Sequence, residues 1–438
     1  MKHNPNDRKK IWCAEIGIEN HDGDELWGNV EWFDVLHTVP TSLEPPEKKK
    51  RKKKTKNSSP PQSPPSSSSS PSLSSLPDEI VVNCLARISR SYYPTLSIVS
   101  KSFRSILSST ELYAVRSHLG STEQCVYVCL WDDSYQFPQW LRLWVNPNQT
   151  LANSMIKKRR KKKKTTGPML VPITSSNFTS VSKATVVVGS EIYIIGGPVD
   201  SEPSSAVRVL DCCSHTWRDA PSMTIARMNA LACLHNGKIY VMGGCQGLED
   251  ESWAEVFDTK SETWERLPEP GTEVRKCSIY RMAEIEGKIQ FGNVNETYAY
   301  DTKQCKWESC VKQKLRSECM IENVSYGYWN MRLLWYDNDI QKDYWKRLEG
   351  LDSLAGKYMR NGGSSGNTTK LVSCGGKLLL LWEGYMKHNP NDRKKIWCAE
   401  IAIEKRDGGE VWGIVERVDV LHTVPRSCQL LHCLVVSV

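Results

Sequence analysis

From residue 123 onward the apolar residues of this chain come in short runs, among them CVYVCLW, LRLWV, TVVVGSEIYIIGG, KIYVMGG and KLLLLW, each bounded by Gly, Pro, Asp or Ser. Alternating runs of that length predict strands, and many of them at regular spacing predict an all-β domain. Upstream the period changes. Ile80, Val81, Cys84, Leu85 and Ile88 fall on one helical face, with Pro77 suited to the first turn and Asp78 and Glu79 complementing the helix dipole there. A second start at Tyr93-Pro94 carries Leu96, Val99, Phe103, Ile106 and Leu107 on to Leu112. The prediction is a three-helix unit of about 45 residues, short for a self-sufficient core, which should lean on a partner or on the next domain.

Within the β region two landmarks repeat. Gly196-Gly197 follows EIYII and leads to Asp211-x5-Trp217; Gly243-Gly244 follows KIYVM and leads to Asp258-x5-Trp264, both landmarks shifted by 47 residues. A third unit keeps KIQFGN, with Gly292 in place of the pair, and Asp301-x5-Trp307. Later units decay, through Trp345 to KLVSCGGKLLLLWEG, whose outer part is predicted as IWCAEIAIE and EVWGIVERVDVL. A glycine pair lets a strand turn tightly and approach its neighbour without a Cβ, and a Trp fills the space between packed sheets. The 16 Trp against 6 Phe fit indoles used as core between sheets.

Composition sharpens this picture in three places. The 16 Cys show no C-x-x-C spacing and read as reduced, mostly buried thiols, with no metal site expected. The net charge of +8 belongs to two runs, Lys48 to Lys54 with Lys56, and Lys157 to Lys164, which hold 16 of the 58 basic residues; the remainder has 42 basic against 50 acidic. A net acidic body argues against nucleic-acid recognition, and the runs read as solvated segments or nuclear addresses. No uninterrupted apolar stretch of about 18 residues occurs, and Met1-Lys2-His3-Asn4 leads into no signal-peptide core, so neither a membrane span nor secretion is expected.

The ends of the chain are duplicates. Residues 1–40 repeat as 386–425, opening on the shared run MKHNPNDRKKIWCAE and agreeing at 32 of 40 positions. Residues 1–43 are expected to be a copy of the last-blade segment 386–428, an orphan fragment left by joining neighbouring genes, or else a competitor for the closing blade or for the edge of another molecule. Segment 44–75 is basic and then Ser/Pro-rich, with 11 Ser and 5 Pro between Ser58 and Ser75, and is expected to be a disordered linker.

SLPDEIVVNCLARI followed by YYPTLSIVSKSFRSIL resembles the F-box, and the diglycine with D-x5-W at a 47-residue period resembles kelch repeats. Together they resemble the F-box/kelch-repeat proteins expanded in plants. The resemblance implies an F-box at 76–120 and, at 123–438, a kelch β-propeller of five to six blades with a basic loop at 148–182. The segments 125–131 and 140–145 are expected to complete the ring. Gly196, Gly197, Gly243, Gly244, Trp217, Trp264 and Trp307 are its structural positions.

The resemblance also implies a function. Such a chain is the substrate receptor of a Skp/cullin/F-box ubiquitin ligase, docking a Skp-type adaptor and through it a cullin, while the propeller holds an unknown protein target. Leu76, Pro77, Ile80, Leu85, Leu96, Val99 and Phe103 carry over as adaptor-facing residues, with Phe103 where many F-boxes have Trp. The alternative is a kelch scaffold outside any ligase. The loops from Pro198 to Ala206, Cys245 to Trp253 and Asn361 to Asn367 are the expected target-binding loops. No catalytic residue is assigned: H-E-x-x-H, G-x-S-x-G, the P-loop and a helix-opening G-x-G-x-x-G are all missing from the sequence, and His215, His235 and His432 have no mutual spacing that would bind copper. No cofactor is expected, and the compartment is nucleus or cytoplasm.

Overall fold

The computed structural model describes residues 8–21, 25–40, 77–132, 137–145, 168–173, 181–199, 201–245, 252–293, 296–310, 318–329, 332–337, 345–352, 354, 369–385, 393–406 and 409–438. The chain divides into two compact units, 1–121 and 122–438.

The first unit contains a two-stranded hairpin, Arg8–His21 with Glu25–Pro40, and a helical segment. The helices are α1 (Asp78–Arg87), α2 (Tyr93–Leu96), α3 (Lys101–Leu107) and α4 (Thr110–His118), with a 3₁₀ turn at Arg90–Tyr92. The second predicted helix is therefore broken, and the end of the period is a helix of its own. Two serines account for the breaks. The Ser100 hydroxyl accepts from Phe103 N and that of Ser109 from Leu112 N, each satisfying an otherwise orphaned donor of a new helix start.

The second unit contains six four-stranded antiparallel sheets among the described residues, arranged as the blades of a β-propeller. Blades 1 to 5 are built from 184–220, 231–266, 281–310, 319–347 and 369–425. Blade 6 combines the C-terminal strand Gln429–Ser437 with Gln124–Trp131, Gln139–Trp144 and Met169–Pro172. The ring thus closes by pairing the last strand of the chain against the first strand of the domain, which removes the open edges a linear array would leave. Two expectations are corrected here. The duplicated segment forms the outer half of the fifth blade, not the closing one, because 429–437 runs on to pair with 124–131. The region 148–182 also contains a strand, Met169–Pro172, the outermost of blade 6.

The second strands of blades 1 to 3 are buried throughout rather than at alternate positions: Ile192 to Ile195, Ile239 to Met242 and Ile289 to Gly292 are all buried, and all but Gln290 of these are apolar, aromatic or glycine. A second strand is covered by a neighbouring blade on each face, so both sets of side chains need apolar partners. The core lies between the blades. Tyr193, Ile195 and Val209 of blade 1 pack with Ile239, Val241 and Phe257 of blade 2, while Leu378, Leu380 and Trp382 of blade 5 pack with Tyr326 and Trp335 of blade 4.

The aspartate of D-x5-W sets a turn. Asp211 accepts from Cys213 N at 2.8 Å, Asp258 from Lys260 N at 2.9 Å, and Asp301 from Lys303 N and Gln304 N at 2.9 Å. Four residues beyond each aspartate the backbone is left-handed, at His215, Glu262 and Cys305. The carboxylate thus stabilises the hairpin turn that brings the Trp onto the adjacent strand. These bonds hold the carboxyls of Asp258 and Asp301 below the usual range.

Candidate functional site

In the helical unit, Val81, Val82, Leu85, Ala86, Leu96, Phe103, Leu107 and Leu112 form one buried cluster. Arg116, fully buried, closes it by donating to the Ala86, Ile88 and Ser121 carbonyls and to Tyr93 Oη at 2.6–3.0 Å. A cation at the C-terminal end of α1 answers carbonyls that have no helical partner.

This packing divides the seven predicted adaptor-facing residues. Leu85, Leu96 and Phe103 belong to the unit's own core. Ile80 is half-buried, Pro77 is exposed at the start of α1, and Val99 is 51% exposed in the turn between α2 and α3. Leu76 lies outside the described residues. Sequence reasoning missed Ile98, beside Val99 and 54% exposed. Its period places it off the apolar helical face, so the pattern gives no reason to single it out, whereas the break after Leu96 is what leaves Val99 outside the core.

In the propeller, antiparallel order sends every connection between second and third strands, and every connection between blades, to the same face. The described parts of two predicted target-binding loops, 198–199 with 201–206 and Cys245 with 252–253, lie on it; Asp200, residues 246–251 and the whole third loop, 361–367, lie outside the described residues. On this face a cavity of about 560 Å³ is lined by Lys183, Asn229, Cys245, Trp253, Arg275 and Tyr280, the last 74% exposed. Arg275 pairs with Glu269. Nearby, burial pushes the Lys370 ammonium down and the Glu318 carboxyl up, the latter opposed by Arg281 and Lys370.

The structural positions of the repeat support this face. Gly196, Gly197, Gly243 and Gly244 end the second strands with positive φ, and a Cβ on Gly244 would lie 2.3 Å from Ala230 N. Beneath them Arg227 and Glu255 pair at 2.8 Å. Arg227 also donates to the Gly243, Ser252 and Trp253 carbonyls, while Glu255 accepts from Thr224 and Ile225.

The three predicted Trp are half-buried rather than core, and each reaches the preceding blade. Trp264 Nε1 donates to the Pro221 carbonyl at 2.7 Å, and Trp307 Nε1 to the Pro268 carbonyl at 2.8 Å. Trp217 meets Trp140 of blade 6 edge-on at 6.4 Å.

Cys129, Cys398 and Cys433 are buried free thiols, and burial pushes Cys398 up to about 12. Among the described residues no group of three or more His, Cys, Asp or Glu converges as a metal would require, and no helix is long and apolar enough to cross a membrane.

Comparison with known proteins places both units. The family model "FKB95, Kelch-repeats domain" matches residues 140–422, and the F-box domain model matches residues 73–114. The chain is 83% identical over 370 residues to F-box/kelch-repeat protein At4g19865 of Arabidopsis thaliana, covering 84% of this chain and 93% of the relative. It is 66% identical to F-box/kelch-repeat protein At4g19870 of Arabidopsis thaliana, covering 84% and 93%. At 39% identity, F-box/kelch-repeat protein At5g39560 of Arabidopsis thaliana covers 84% and 94%. With helices and blades each matched by their own family model and relatives aligned over nearly their whole length, the chain belongs to the F-box/kelch-repeat family.

Proposed function

We propose that this chain is the substrate-recognition subunit of a Skp/cullin/F-box ubiquitin ligase, a receptor without catalytic residues of its own. The observation that carries the reading is the adjacent pair Ile98 and Val99, both more than half exposed on a helical unit whose core is already closed. Two branched apolar side chains left in water beside a complete core suit the centre of a protein contact. Pro77, Ile80, Ile98 and Val99, preceded by Leu76, make the adaptor contact; Leu85, Leu96 and Phe103 act through it by holding α1, α2 and α3 in place.

The propeller takes the target on the face that carries the cavity around Lys183 and Tyr280. Ubiquitin transfer then follows from proximity: a tethered target presents its lysines at a raised local concentration to the charged enzyme that the cullin brings. This chemistry operates in nucleus or cytoplasm. The basic runs Lys48 to Lys54 and Lys157 to Lys164 lie outside the described residues. Binding of the full-length chain to a purified Skp-type adaptor, compared with a Val99→Asp variant, tests the reading.

A further inference from the structure

The N-terminal hairpin and the outer hairpin of blade 5 share more than sequence. Arg8–His21 pairs with Glu25–Pro40 in the register by which Arg393–Arg406 pairs with Glu410–Pro425, residue for residue. Both interrupt it at the same two places, between Ile11 and Trp12 and between Glu15 and Ile16 in one, between Ile396 and Trp397 and between Glu400 and Ile401 in the other. Bulges bend and twist a strand, so two hairpins with the same bulges have the same curvature.

The eight differences between the copies are placed so that the seat in blade 5 is respected. Nine positions of 393–425 are buried there, and eight carry the identical residue in the first copy. Ile396, Ile401, Leu421 and Val424 correspond to Ile11, Ile16, Leu36 and Val39. Gly413, where a Cβ would lie 2.8 Å from Leu351, corresponds to Gly28. Lys394, whose ammonium pairs at 2.6 Å with the buried Glu383, corresponds to Lys9. The ninth is Val411, replaced conservatively by Leu26. The remaining changes fall on exposed or half-buried positions. Two of them make the first copy a poorer fit: Trp32 replaces Arg417, which pairs with Glu400 and Asp419, and Phe33 replaces Val418, which packs against the core between blades 4 and 5.

We propose that residues 8–40 are a second, interchangeable occupant of the blade 5 seat, able to pair with strand Lys377–Tyr385 in place of 393–425. The 36 residues between Pro40 and Pro77 can extend over about 120 Å, so connection length does not keep the copy from that seat. The resident copy wins in the unaltered chain because it follows the receiving strand after a connection of a few residues and because its fit is better.

The test is a set of three variants of the full-length chain: Ile401→Asp, Ile16→Asp and the double variant. Ile401 is completely buried, so aspartate there places an unpaired charge in the core of blade 5. The expected result is that Ile16→Asp leaves the thermal midpoint unchanged and Ile401→Asp lowers it by a few degrees. The double variant then loses far more than the sum, with soluble folded protein reduced at least tenfold. Hydrogen-exchange protection within 8–40 should rise in the Ile401→Asp variant alone. Equal behaviour of Ile401→Asp and the double variant, at any level of stability, overturns the proposal, as does unchanged exchange in 8–40.

Discussion

Arg227 and Glu255 form an ion pair, 2.8 Å long, in which neither side chain is exposed to solvent. Arg227 enters from the connection between blades 1 and 2, and Glu255 stands on the third strand of blade 2. The pair therefore fastens the between-blade connection to the loop that follows Gly243-Gly244, and it does so directly under the face assigned to target binding. Each charge is further satisfied by carbonyls or backbone amides.

Removing one member leaves the other charged and enclosed. Arg227→Met should lower unfolding free energy by about 3–5 kcal/mol, whereas the double change Arg227→Met, Glu255→Leu should recover a substantial part of that loss. Equilibrium denaturation in urea measures both, and an Arg227→Met variant within about 0.5 kcal/mol of the unaltered chain contradicts the assignment.

The Trp264 bond to Pro221 predicts a graded series. Trp264→Phe keeps most of the ring packing against Phe257, whose centroid lies 5.0 Å away, and loses the N–H, so it should cost about 1 kcal/mol. Trp264→Ala also removes the ring and should cost about 3 kcal/mol. Equal costs for the two would mean that the hydrogen bond to the preceding blade, rather than the ring, carries the contact.

His432 makes the closing seam sensitive to acid. It stands on the C-terminal strand, donates through Nε2 to the Ser182 carbonyl at 2.7 Å and stacks on Trp140. Burial, reinforced by the Lys370 ammonium, pushes it from 6.5 down to about 4. The unfolded chain therefore binds the proton first as pH falls. The contribution of His432 is complete above about pH 7 and is lost progressively between pH 6.5 and 4, on the order of 2–3 kcal/mol in all. His432→Gln keeps a donor for Ser182 but does not titrate, so its stability should fall less steeply between pH 7 and 5. His422, also pushed down by burial, is common to both chains and cancels. Parallel slopes for the two chains count against this role.

The repeat was legible wherever backbone geometry demands one residue type. Gly244 has no room for a Cβ, and the Asp258 turn needs a short acceptor, so both signatures survive in the sequence. Blade 4 has no diglycine after its second strand, and blade 5 has outer strands of 14 and 16 residues, so period alone marks them poorly. Met169–Pro172 is short and sits among polar sequence, which hid it inside a loop. In the helical unit, periodicity identifies apolar positions without saying which of them face inward. Leu85, Leu96 and Phe103 fill the unit's own core, and Val99 joins the exposed Ile98 because α2 ends at Leu96 and Ser100 starts a new helix.

The central claim is that the helical unit docks an adaptor through the Ile98–Val99 turn, and binding of the full-length chain to a purified Skp-type adaptor tests it most directly. Val99 is already half exposed, so Val99→Asp should leave the circular dichroism and thermal midpoint unchanged. The account predicts tight binding by the unaltered chain and a loss of at least tenfold in affinity for Val99→Asp. Adaptor binding that is undiminished by Val99→Asp, or no binding by a folded unaltered chain, would contradict it.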